Sequence, residues 1–172
     1  ILIAMILLLI TSCAKTESNY IKPKKLSSDA KKIVEILNDD FYMFDLNLDK
    51  SFTSYKVDYW YYEDGTWMRI DFVAGETKYI KDTLGLLIDK KNVYFYKFDD
   101  LNHSKLGKPR AEKQDVQSES TLFLNKKTPI VAGEDIELFS KCYYNTYNVS
   151  NYTSFKDAQC DGGFAITITF SE

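Results

Sequence analysis

The chain of 172 residues contains one histidine, three cysteines, three prolines and seven glycines. Each scarcity excludes something. A single histidine, His103, leaves no histidine-rich metal site and removes most histidine-based proton shuttles; it lies in polar sequence and reads as a solvated residue. The cysteines, Cys13, Cys142 and Cys160, form no CxxC pair, so zinc would lack ligands and neither metal nor cofactor is expected. No glycine-rich phosphate loop, GxSxG elbow or HExxH helix occurs. Positive charge is not in excess either. Lys and Arg number 22 against 25 Asp and Glu, a formal net charge of −3 with no basic stripe, which argues against a nucleic-acid partner. The one long apolar run is the first ten residues, ILIAMILLLI, short of the roughly 20 that a membrane-spanning helix needs.

A run of that length suits the apolar centre of a signal peptide. The charged segment that should precede it is missing and the chain does not begin with Met, so residues 1–12 are expected to be a truncated signal peptide. The following Ile10-Thr11-Ser12-Cys13 resembles the lipobox of bacterial lipoproteins: an aliphatic residue, two small ones and a cysteine. The resemblance covers the leader and Cys13 alone; no family is recognised for the rest of the chain. It implies a diacylglyceryl group on the Cys13 thiol and cleavage that leaves Cys13 as the N-terminus. It also implies stable membrane anchoring through two or more acyl chains. Ala14, rather than Asp, follows the cysteine, which in a host with two membranes implies the outer membrane or cell surface. In such an exported protein, Cys142 and Cys160 read as a disulfide, closing a loop of about 19 residues worth roughly 3 kcal/mol.

Residues 13–25 are expected to be the lipidated cysteine and a flexible, lysine-rich tether, and residues 26–172 one domain, mainly β. Aromatic content of 15% suits strands. One helix is expected early, where Ala30, Ile33, Val34, Leu37, Phe41 and Phe44 recur at three- and four-residue spacing, with Ser27 or Ser28 as cap. Strands are expected at Phe52–Tyr62, Thr66–Val73, Thr77–Lys81, Leu84–Ile88, Val93–Phe98, Thr121–Leu124, Ile136–Tyr147 and Phe164–Phe170, with a long polar loop over Asn102–Ser120. The expected fold is α+β: an N-terminal helix on an antiparallel sheet that curls towards a barrel.

The densest feature is YWYYEDGTWM, Tyr59 to Met68. Asp64-Gly65 between two strand-like runs is a strong type I′ signal, since both central positions need positive φ. Taking that pair as the loop sets Tyr62 opposite Trp67, Trp60 opposite Arg69, Asp58 opposite Asp71 and Val57 opposite Phe72. Side chains alternate, so Val57, Tyr59, Tyr61, Met68, Ile70 and Phe72 share the core face. The other face carries Asp58, Trp60, Tyr62, Trp67, Arg69 and Asp71, including both tryptophans of the protein. Asp58 facing Asp71 is unfavourable unless Lys56, Arg69, a cation or a raised carboxyl pKa compensates.

That second face is the candidate binding surface. Trp, Tyr and Arg are favoured anchors for protein partners, and aromatic faces flanked by carboxylates and an Arg also suit carbohydrate. The plainer reading is that a helix or second sheet covers it. No catalytic residue is assigned. The alternatives to a binding module are a structural envelope lipoprotein without a ligand and a two-carboxylate hydrolase of envelope polysaccharide using Asp58 and Asp71.

Overall fold

The computed structural model describes residues 19–37, 39–77, 81–98, 102–107, 116–147 and 152–172. The leader, the lipobox and Cys13 lie outside them. In chain order the elements are β1 (Tyr20–Lys24), α1 (Ser28–Leu37), β2 (Asp40–Asn47), β3 (Ser54–Glu63), β4 (Thr66–Glu76), β5 (Lys81–Ile88), β6 (Asn92–Lys97), β7 (Asn102–Gly107), β8 (Ser118–Phe123), β9 (Thr128–Pro129), β10 (Asp135–Tyr144) and β11 (Gly162–Ser171). They form two antiparallel sheets, ordered β7-β6-β5-β2-β1-β9 and β4-β3-β11-β10-β8. The α+β, mainly β reading holds. The sheet does not close into a barrel.

Alternation along the strands builds one core between the sheets. Ile21, Phe44, Leu84, Leu86 and Phe95 from the six-stranded sheet meet Val57, Tyr59, Phe139, Phe164, Ile166 and Ile168 from the five-stranded one. Rings cross the interface directly, Tyr42 against Phe139 at 5.4 Å and Tyr55 against Phe95 at 5.9 Å. β11 alternates as expected, with Phe164, Ile166, Ile168 and Phe170 in the core, but it is not half-buried: Ala165 and Thr167 on its other face are buried too, because β11 lies between β3 and β10. Between β5 and β6, Asp89 makes the turn by accepting from the backbone N–H of Lys91 and Asn92, both at 2.6 Å.

Three readings are corrected. Residues Tyr20–Lys24, assigned above to a flexible tether, form β1, hydrogen-bonded to β2 along its length. Pro23 suggested a linker, yet β9 pairs only with Tyr20 and Ile21, so Pro23 lies where β1 has no second neighbour to receive its missing N–H. The helical stripe stops at Leu37; Phe41 and Phe44 belong to β2, where Phe44 is buried by strand alternation. The polar segment from Asn102 opens as β7, with the His103 backbone paired to Tyr96. The expected strand Thr77–Lys81 falls mostly outside the described residues.

The α1 helix begins where expected. Ser27 Oγ accepts the Ala30 N–H at 3.2 Å and Asp29 sits in the first turn, at the positive end of the dipole. None of its residues is buried.

Candidate functional site

The β3–β4 hairpin turns at Asp64 and Gly65 with φ of 50° and 81°, both positive as a type I′ turn requires. The expected pairing holds from Glu63 opposite Thr66 to Asp58 opposite Asp71. There a bulge intervenes, and Val57 pairs with Val73 instead of Phe72. On the core face, Val57 and Tyr59 are fully buried and Tyr61, Ile70 and Phe72 half-buried. Met68 is exposed, because β4 is the edge strand of its sheet.

The opposite face brings all six candidate residues together and treats them unequally. Asp58 is 1% exposed, Trp60, Tyr62 and Trp67 are half-buried, and Arg69 and Asp71 are exposed. The facing carboxylates are compensated by two cations. Lys56 Nζ lies 2.7 Å from Asp71 Oδ1 and 3.2 Å from Asp58 Oδ1, and Arg69 Nη1 lies 3.7 Å from Asp58 Oδ2. The approach to Asp58 pairs charge without good hydrogen-bond alignment, leaving its Oδ1 with no hydrogen-bond partner. The neighbouring carboxylates of Asp71 and then Asp58 hold the Lys56 ammonium above its ordinary range, and Lys56 in turn holds Asp71 below the usual carboxylate range. Two acids and two bases make a quartet without net charge.

Trp60 donates its Nε1–H to Thr167 Oγ1 at 3.0 Å, which pins the ring across β11. Cations lie over the indole: the Arg69 guanidinium at 5.6 Å and the Lys156 ammonium at 5.1 Å from the ring centre. Lys156 is anchored to Asp135 at 3.1 Å, and Thr169 Oγ1 donates to the same carboxylate at 2.7 Å. Burial opposes ionisation of Asp135, but those partners outweigh it and its pKa is lowered.

The connection between β10 and β11 supplies a partial cover. Its 3-10 turn, Phe155–Asp157, inserts Phe155, 1% exposed, against Trp67 at 4.8 Å and Trp60 at 5.4 Å. Tyr62 meets Trp67 edge-on at 5.1 Å. Glu137 Oε2 holds the turn by accepting the Phe155 N–H at 3.2 Å. Beneath the connection a second small core joins Cys142, Tyr144 and Ala158 to Trp67, Tyr152 and Cys160. Gly163, opposite Tyr62, is needed here: a Cβ would lie 2.6 Å from the Lys141 carbonyl oxygen and 3.2 Å from the Trp67 ring. So among the described residues neither α1 nor the six-stranded sheet covers the face; the β10–β11 connection covers part of it.

The expected Cys142–Cys160 disulfide is not formed, and both residues are free thiols. They share the small core in hydrogen-bonding contact, which lowers the Cys142 pKa and, together with burial, raises that of Cys160. Even cysteine number and spacing say nothing about whether the two Cβ vectors converge, and a bond needs that convergence. Among the described residues no cluster of three or more His, Cys, Asp or Glu could hold a metal ion.

Sequence reasoning missed Phe155, Lys156, Asp135 and Thr167. The strand alternation Phe164, Ile166, Ile168 could have indicated Thr167 as an outward neighbour of Asp58; nothing local marks Phe155. Comparison with protein-family models, curated proteins and solved structures yields no match, so a functional reading rests on the site itself.

Proposed function

We propose that this protein is a lipid-anchored component of a bacterial cell envelope, held by Cys13, and acts as a non-enzymatic binding module. Its recognition surface is the outer face of the five-stranded sheet around Trp60. The observation that carries the second statement is Trp60 itself: a half-buried indole, fixed by Thr167, flanked by Arg69 and Lys156, on a face the intersheet core does not use. Aromatic and Arg side chains already immobilised in the free protein lose little entropy on binding, which favours them as anchors. An open sheet face of this kind suits a protein partner.

Carbohydrate is the second reading, favoured by the ring of Trp60 beside the Asp71 carboxylate and the Arg69 guanidinium, groups that can stack on and hydrogen-bond to a sugar. Hydrolysis of polysaccharide is disfavoured. A two-carboxylate mechanism needs a carboxyl that holds a proton near neutral pH, whereas Lys56 holds Asp71, the exposed carboxylate of the pair, below the usual carboxylate range.

The anchor is tested by incorporation of labelled palmitate into the chain with a complete leader; Cys13→Ser should abolish it, and retained label would sink this part of the proposal. The face is tested by tryptophan emission during titration with envelope proteins and with oligosaccharide or peptidoglycan fragments. Indifference to all of them would favour a purely structural envelope protein.

A further inference from the structure

At the end of the sandwich where β2 begins and β5 turns into β6, the two sheets do not close on each other. A cavity of about 560 Å³ opens there, with α1 along one side. Part of its lining is apolar: Ile88, paired with Asp40 across β2 and β5, then Tyr143 and Phe164 from the other sheet, and half-buried Val34 from α1. Tyr59 lies behind that lining, its ring stacked on Phe164 at 5.8 Å. It is fully buried, and its hydroxyl has no hydrogen-bond partner.

The rest of the lining is charged, and unevenly so. Glu35, Asp39 and Asp40 come from the end of α1 and the start of β2; Asp89 and Glu119 add two more carboxylates. Only Lys90 and Lys141 oppose these five acids. Lys141 is spent on Glu119 at 3.0 Å, while Asp89 accepts the amides of Lys91 and Asn92. Nearby lysines are engaged elsewhere, Lys24 with Asp45 and Lys32 with Asp29. Among the described residues, no cation lies within ion-pair distance of Glu35, Asp39 or Asp40. Carboxylates gathered at an apolar wall repel one another and focus a negative potential into the space between them.

We propose that this cavity binds a small organic cation: an ammonium group on an apolar stem, its charge among Glu35, Asp39 and Asp40 and its stem against Ile88, Tyr143 and Phe164. The volume falls within the roughly 300–1,000 Å³ of small-molecule sites. Surplus negative charge selects against an anion, and the apolar lining selects for a stem. A bare metal ion is not the occupant, since among the described residues no cluster of three or more His, Cys, Asp or Glu could hold one. Neither the lipid anchor nor the Trp60 face enters into this site.

The test titrates the full chain at pH 7 with hexylamine, hexanol and hexanoate, by calorimetry and by methyl spectra. Hexylamine should bind one per chain, about tenfold more tightly than hexanol, and hexanoate should bind more weakly than either. The Val34 and Ile88 methyl resonances should shift with hexylamine. Glu35→Gln with Asp39→Asn should weaken hexylamine about tenfold and leave hexanol unchanged, with the β circular dichroism of the parent. Val34→Lys, on a helix with no buried residue, brings a tethered ammonium to the cavity and should weaken hexylamine by competition. Equal affinity for hexylamine and hexanol overturns the proposal, as does full hexylamine affinity in both variants. Tryptophan emission that shifts while the Val34 and Ile88 methyls stay still places the amine on the Trp60 face and overturns it too.

Discussion

At the scale of single residues, the outer face depends on how two facing carboxylates are tolerated. Asp58 is buried and Asp71 exposed, and Lys56 bridges them. Because the Asp71 pKa is lowered, its contribution to stability is present above the ordinary value of 3.8 and is lost as pH falls through the folded-state value. Replacing Lys56 by Met removes the two largest causes of that lowering and leaves Arg69 as a weaker one. Urea midpoints measured from pH 7 down to about pH 2 should fall less steeply on acidification in Lys56→Met than in the parent, from a lower starting stability. Asp135, and Asp49 with its hydrogen bonds from Ser51 and Asn19, leave part of the acid limb in both proteins. Identical acid limbs would show that the bridge carries no differential charge energy. The compensation was legible in part: Lys56 and Arg69 follow from alternation and register. That Asp58 would be the buried one was not, since burial comes from β11, paired across a separation of more than a hundred residues.

At the scale of elements, the β3–β4 hairpin and the β10–β11 connection make the surface jointly. The hairpin register was readable because its turn needs positive φ at both central residues and because a slip by one would put Arg69 into the core. The bulge at Phe72 had no such signal. The connection is a different case: a Tyr-, Asn- and Ser-rich stretch has no period, and Phe155 is buried only because two tryptophans of another hairpin await it. Phe155→Ala should therefore do two things at once. It should cost about 3–5 kcal/mol in chemical denaturation, as for other large-to-small changes at fully buried aromatics. It should also move tryptophan emission to the red as Trp60 and Trp67 gain water. A variant within about 1 kcal/mol of the parent, with unchanged emission, would mean the turn is not a cover. Similar non-locality misled the reading of β1 and β2. Phe41 and Phe44 continue a helical spacing by coincidence, and only pairing with β1 and β5 makes them strand.

At the scale of the whole molecule, two open sheets share a core rich in tyrosine and phenylalanine, and the fold class was visible in aromatic content and alternation. Strand order was not, since β3 lies beside β11 and β2 beside β5 through contacts that no local pattern encodes. The buried tyrosines give the molecule an alkaline limit. Burial pushes Tyr42 and Tyr144 up to about 12, and Tyr59 upward as well. Their contribution is complete below the ordinary value of 10.0 and lost as pH rises from there through the folded-state values. Exposed members of the 13 tyrosines should ionise first without structural change, followed by a cooperative step in which tyrosinate absorbance and loss of β circular dichroism coincide. Smooth titration of every tyrosine with the β signal intact would contradict this core.

A functional surface on this fold must do more than pack, and the most direct test isolates Trp60 from the rest. Tryptophan emission of the full chain is titrated with fractionated envelope proteins, peptidoglycan fragments and oligosaccharides, beside Trp60→Phe and Arg69→Ala. The result expected is a saturable shift with one of these classes, at least tenfold weaker in Arg69→Ala and largely absent in Trp60→Phe. Both variants should lower the urea midpoint, Trp60→Phe through the lost bond to Thr167 and Arg69→Ala through the lost charge beside Asp58, while circular dichroism shows them folded under the titration conditions. A panel that moves neither tryptophan, or a shift that both variants retain at full affinity, would show that this face recognises none of them.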